Sequence, residues 1–250
     1  MSTTTTTLIA EARSAAFDHR FDVAARTASS VLVRRPTCLL ALRVLAWAQL
    51  EQSDDAALDT FVQCAAYDPE DALAFVGQAI WHQQRGHKDA AVRLWVRAWE
   101  LDANNQAIRR VLVKLTGELP ESPLADAIGL LRAGREDLAA DMLRRLRDVR
   151  PDPTVLLTLI QALWATGLHH QAFDLALAVH SSHSESVKAM LYLAALEDRA
   201  GRTLRSREAI ARAEQADPGL TLFADVVRQV GLQAAVDQHR ATRATLASAR

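Results

Sequence analysis

The side chains best placed to do chemistry are histidines. His180, His183 and Glu185, in the stretch HSSHSE, set two imidazoles and a carboxylate two to five residues apart. In a loop these could converge on one divalent metal. The competing reading is a polar turn between two helices, and the expectation is that turn, with no metal and no cofactor. His169 and His170 follow Gly167, and His82 and His87 flank Gly86. Histidines beside such turns are expected to face solvent. Cys38 and Cys64 lie near no motif. There is no phosphate loop, Gly-x-Gly-x-x-Gly, His-Glu-x-x-His or nucleophile elbow. Acidic pairs such as Glu136-Asp137 fall where a helix would start and favour the positive end of its dipole. A catalytic claim needs a nucleophile, a base and an orienting group. None is in view, so no enzyme, catalytic residue or small-molecule substrate is expected.

The elements that would carry these residues follow from composition. Half of the 250 residues are apolar but only 5% are aromatic, and 9 glycines and 7 prolines are few breakers for this length. Such a balance implies many helices and little sheet. The 29 basic and 30 acidic residues nearly cancel, leaving a net charge of −1. That is no general footprint for nucleic acid or anionic lipid. Nothing reads as a membrane span or a secretory leader, and two cysteines fit a reducing compartment. The expectation is a soluble, cytoplasmic protein of bacterial type with no membrane association.

The organising signal is an internal period. Gly134, Gly167 and Gly201 are 33 and 34 residues apart, and each is followed by a small residue at the same offset: Ala139, Ala172 and Ser206. From these run stripes at helical spacing: Ala139, Leu143, Leu146; Ala172, Ala176, Val179; Ser206, Ile210, Ala213. Pro151 and Pro218 punctuate the ends, with Ser184 in the place between them. The N-terminal half repeats the pattern in Ala24, Ala57 and Ala91, followed by Ala28, Phe61 and Trp95 and closed by Pro36, Pro69 and Ala103. Its turn places hold His19, Gln52 and Gly86. The interval from Ala91 to Ala139 is 48 residues, long enough for one extra helix. Ile108, Val111, Leu112 and Leu115 supply its apolar face, and Gly117 its end. Trp95 and Trp99 are one helical turn apart, so Trp99 is expected to meet this helix through Val111 or Leu115, with Trp81 nearby.

With the small residues Ala12, Ala46, Ala79, Ala127 and Ala194 on the first helix of each pair, the turn glycines, the second-helix alanines and the prolines, residues 5 to 220 resemble the tetratricopeptide repeat (TPR) family. Its unit is a helix–turn–helix of about 34 residues. Ile160 departs from the small first-helix residue, the family's aromatic at the end of that helix is mostly missing, and the second unit is one residue short at its turn. The resemblance implies an all-α fold: a right-handed superhelical solenoid of about six TPR-like repeats, with an inserted helix and a C-terminal capping helix. The expected organisation is a disordered stretch 1–7, then an array over 8–220. Its units are 5–38, 39–71 and 72–105, the inserted helix 105–117, then 120–153, 153–186 and 187–220. A capping helix, broken near Gly231, and a basic tail with Arg243 and Arg250 fill 220–250.

Each helix pair buries its stripe only against its neighbours, and the curved face lined by first helices is where such stacks hold peptides or partner helices. Carrying over the family's groove-facing places yields Arg13, Arg43, Trp47, Ile80, Ile128, Leu131, Leu157, Gln161, Trp164, Leu191, Tyr192 and Asp198. This lining is mostly apolar. The two-carboxylate clamp of some family members needs lysines and asparagines, and Ile9, Arg13, Val44, Leu73 and Gly77 stand there instead. The reading is a noncatalytic protein-interaction scaffold or adaptor that holds a partner protein or peptide. The alternatives are a structural subunit or assembly factor of an oligomer or larger complex, and, less favoured, a nucleic-acid-binding regulator.

Overall fold

The computed structural model describes the backbone of residues 3–248 and the side chains of residues 5–245. Every regular element among them is a helix. The chain forms two compact units, one reaching Gly129 and the other beginning at Leu130.

The first unit holds α1 (Thr3–Phe17), α2 (Phe21–Arg34), α3 (Leu39–Glu51), α4 (Ala57–Tyr67), α5 (Ala72–Gln84), α6 (Lys88–Leu101) and α7 (Gln106–Thr116). Helix α8 (Pro123–Arg132) opens here, and its last residues belong to the second unit. Each helix packs on the next from α1 to α7, and α3 also touches α1 and α5. Alanines make the close approaches: Ala24, Ala28, Ala46, Ala57, Ala79 and Ala98 are fully buried. Among the glycines the closest approach is at Gly77, where an added Cβ would lie 2.2 Å from Cζ of Phe61. Helix α7 buries Ile108 and Leu112 on Trp95 and Trp99. Leu115, an expected partner of Trp99, is exposed instead, because the buried stripe of α7 runs through Ile108 and Leu112. Thr3 to Thr7, expected as disordered, form the opening turns of α1. Ile9, Ala12 and Ala15 bury that helix, and extending an anchored helix is far easier than nucleating one, which outweighs the poor propensity of threonine.

The second unit holds α9 (Glu136–Val149), α10 (Pro153–Ala165), α11 (His169–Ser182), α12 (Val187–Arg199), α13 (Thr203–Ala216), α14 (Ala224–Gln229) and α15 (Gln233–Ser248). Asp152 caps α10 by accepting from the backbone N–H groups of Thr154 and Val155, and Ser186 caps α12 through Ala189. Past α13, the buried Asp217 carboxylate accepts from the backbone of Leu222 (2.8 Å) and Phe223 (3.2 Å) and from Thr221 Oγ1 (3.2 Å). Burial nevertheless pushes its pKa above the ordinary carboxylate range. Gly231, at φ 71°, separates α14 from α15. The expected basic tail is helical as far as Ser248, since α15 buries Val236 and Arg240 donates to Glu214 (2.8 Å) and to the Gly219 carbonyl (2.9 Å). Arg250 lies outside the described residues.

Six hairpin turns share one construction. A residue at positive φ (His19, Ser53, Gly86, Gly134, Gly167, Gly201) is followed by one whose N–H reaches five residues back, as in Arg20 to Ala15 (2.8 Å) or Leu168 to Leu163 (2.8 Å). This is the glycine-type helix stop with its 6→1 bond. Ser53, not the expected Gln52, takes the left-handed place at φ 60°, while Gln52 sits at φ −85°. That unit is one residue short at its turn: Ala57 follows the left-handed residue by four positions, where Ala24 and Ala91 follow His19 and Gly86 by five. Left-handed φ is strained for a residue with a Cβ, so Ser53→Gly should stabilise the protein by about 0.5–1 kcal/mol. Gly167→Ala, whose Cβ would meet nothing within 4 Å, should cost about 1 kcal/mol from φ alone. Urea titration of both variants checks the opposite signs.

Candidate functional site

The chemistry-bearing residues divide sharply. His180 is half-buried, and burial, then Arg212, holds its pKa below the ordinary imidazole value. His183 is exposed and pairs through Nδ1 with Ser182 Oγ at 2.9 Å. No group of three or more His, Cys, Asp or Glu side chains able to hold a metal forms among the described residues. His169 packs on the Trp164 ring (4.7 Å between centroids), and burial, then Arg199, lowers its pKa. Burial, with Asp71 adding to it, pushes the Cys64 thiol up to about 12, so it stays a protonated core residue. His82 and His87 do not both point to solvent. Their Nδ1 atoms meet at 3.2 Å, and burial, then His87, holds the His82 pKa down.

In the first unit the expected groove residues have distinct fates. Arg13 is exposed and Ile128 half-buried. Arg43 is not available as a groove cation: its Nε donates to Asp71 (2.7 Å) and its Nη2 to Asp68 (3.0 Å), tying α3 to the turn before α5. Trp47 is half-buried and stands edge-on to Phe61 at 5.2 Å. Ile80 is half-buried and opens on a pocket of about 380 Å³, lined also by Gln83, Gln84, Trp95 and Val111. Trp47, Ile80 and Val111 all pack on the same buried cluster around Trp95 and Trp99. Inside the pocket, Trp95 Nε1 donates to Gln83 Oε1 at 3.2 Å. The amides of Gln83 and Gln84 thus border an apolar floor, the composition of a site that orients an apolar anchor with a few polar contacts.

In the second unit Leu131 and Gln161 are half-buried and Asp198 is exposed. Leu157, Leu191 and Tyr192 have no exposed surface and Trp164 is 6% exposed, so these four are core and not groove lining. Trp164 lies against Tyr192 (5.9 Å), with the Arg199 guanidinium over its ring at 5.0 Å. The cause is written along both helices. From Thr154 to Trp164 and from Val187 to Leu196 they are apolar on nearly every face, and a helix apolar all round is buried all round. That all-round apolarity outweighs the repeat register, which taken alone would turn these residues to the groove. The pocket residues Gln83, Gln84 and Val111 escaped because only the docking of α7 on α6 makes a recess beside Ile80.

No protein-family model and no curated protein matches the sequence. Solved structures similar to the chain include the MamA protein, at 17% identity over 81% of this chain and 96% of that one, with a TM-score of 0.41. The TPR2AB domain of yeast Sti1, solved in complex with pHSP90, is 12% identical over 95% and 98% of the two chains, at a TM-score of 0.41. The P58(IPK) TPR domain is 11% identical over 94% of this chain and 64% of that one, at 0.42. By its own period, its six like-built turns and its paired helices, the chain is an all-α helical repeat protein, and its repeat residues resemble those of the TPR family.

Proposed function

We propose that this protein is a noncatalytic interaction scaffold that holds a partner peptide or helix, and that in the first unit the partner's apolar anchor seats beside Ile80. The observation carrying this is the pocket of about 380 Å³ among Ile80, Gln83, Gln84, Trp95 and Val111, with half-buried Trp47 on the same cluster. Aromatic and aliphatic anchors in such recesses supply most interface energy, and flanking amides fix the register of a bound backbone. Of the expected lining in the second unit, Leu131, Gln161 and Asp198 keep accessible surface and extend the proposal there.

The test is a measured affinity for a purified partner identified by pulldown from the source organism. Ile80→Arg should weaken it at least tenfold, about 1.4 kcal/mol, while the helical signal and melting temperature stay near those of the parent. Ile80 is half-buried, so the arginine stem can lie on the surface with its charge in water. An unchanged affinity sinks the placement of the site.

A second reading, subunit of a larger assembly, draws on α7, whose outer face exposes Val113 and Leu115 at 41% each. Light scattering at tens of micromolar separates the two: self-association abolished by Val113→Glu with Leu115→Glu would favour the assembly.

A further inference from the structure

We propose that His82 and His87 form a two-imidazole site for a divalent late first-row cation, with zinc the best geometric match. In each hairpin the 6→1 bond brings the residue that supplies the carbonyl beside the residue that supplies the N–H. Here those two are His82 and His87, joined by the His87 N–H to His82 carbonyl bond at 2.9 Å across Gly86, at φ 76°. The same two places hold Leu163 and Leu168 in a later turn, and in another Glu197 and Arg202, which pair as ions. In two of these turns the side chains at the two places meet, as an ion pair between Glu197 and Arg202 and as an imidazole pair between His82 and His87.

The separation suits a metal. Two nitrogens each about 2.05 Å from one zinc ion and 3.2 Å apart subtend roughly 103° at the metal, close to the tetrahedral angle. The rings are also held in place. Trp81 stands edge-on to His82 at 5.0 Å and lies 6.2 Å from His87. Arg85 covers the Trp81 ring at 3.9 Å and pairs with Asp55. Coordination requires both Nδ1 lone pairs, so each neutral ring carries its proton on Nε2. Imidazole nitrogen suits zinc, copper and nickel, and water fills the remaining positions. With two protein ligands, binding should be weaker than at a closed site of four protein ligands.

The experiment is isothermal titration of zinc chloride into the tag-free full chain in a non-coordinating buffer. It is run beside His82→Leu with His87→Leu, which copies the Leu163 and Leu168 turn and so keeps the fold. One equivalent should bind the parent and raise its melting temperature. Both effects should vanish in the leucine pair and persist in His180→Ala with His183→Ala. Zinc binding that survives in the leucine pair, or a parent that takes up no zinc at millimolar concentration, overturns the proposal and leaves a plain Nδ1–H···Nδ1 hydrogen bond.

Discussion

Gly77→Ala is expected to destabilise the protein by about 2 kcal/mol, although alanine is the better helix former. In an exposed helix interior the exchange would gain about 1 kcal/mol. Here the new methyl would lie 2.2 to 2.5 Å from three atoms of the Phe61 ring. That ring is 1% exposed and stands edge-on to Trp47 at 5.2 Å, so it cannot retreat into solvent. Overpacking of this kind costs about 1–3 kcal/mol, and the loss of Phe61 packing adds to it, so the clash wins over propensity. Phe61→Ala alone should cost about 3–5 kcal/mol. In the Phe61→Ala background, Gly77→Ala should turn neutral or stabilising, since the obstacle is gone. A double-mutant cycle by urea denaturation measures the change of sign. A stabilising Gly77→Ala in the parent would mean that α4 and α5 do not approach as described.

Leu157→Ala is the second large effect, and it separates two descriptions of α10. As a groove residue, Leu157 would lose little on truncation, within about 0.5 kcal/mol. As the fully buried side chain that it is, it should cost about 2–5 kcal/mol, the spread reflecting how far the site can collapse. Gln161, one turn further along α10 and half-buried, provides the control: Gln161→Ala should stay within about 0.5 kcal/mol. Thermal melts of the two variants suffice. If the two melt alike, the enclosure of α10 is wrong and the apolar groove reading returns for this unit.

These two cases mark where the sequence was legible. The pair Ala57 and Phe61 and the turn place at Gly86 could be read because each depends on residues within one hairpin. The direction of the Phe61 ring onto Gly77 could not, since a glycine in the middle of a helix reads only as a weak position. Ser53 shows the same limit on a smaller scale: the 33- and 34-residue spacing locates the turn, but which of two neighbouring residues takes positive φ depends on where α3 ends. The histidines are the clearest instance. HSSHSE looked like the better ligand set and scatters along a helix end, whereas His82 and His87 are drawn together by a turn bond that the spacing of five residues reports only once the turn type is known.

By itself the sequence determined the helical period, the pairing of helices and the place of the extra helix. All of these rest on local propensity, capping and the stripe that one helix shows its hairpin partner. Tertiary structure alone decided which lining residues meet solvent. Leu157, Leu191 and Tyr192 are enclosed, while Ile80 keeps a pocket beside it. A helix in a stack has two faces, and the repeat pattern specifies only the one turned to its own hairpin. What covers the other comes from residues distant in the chain, whose arrival removes water from apolar surface wherever the shapes permit.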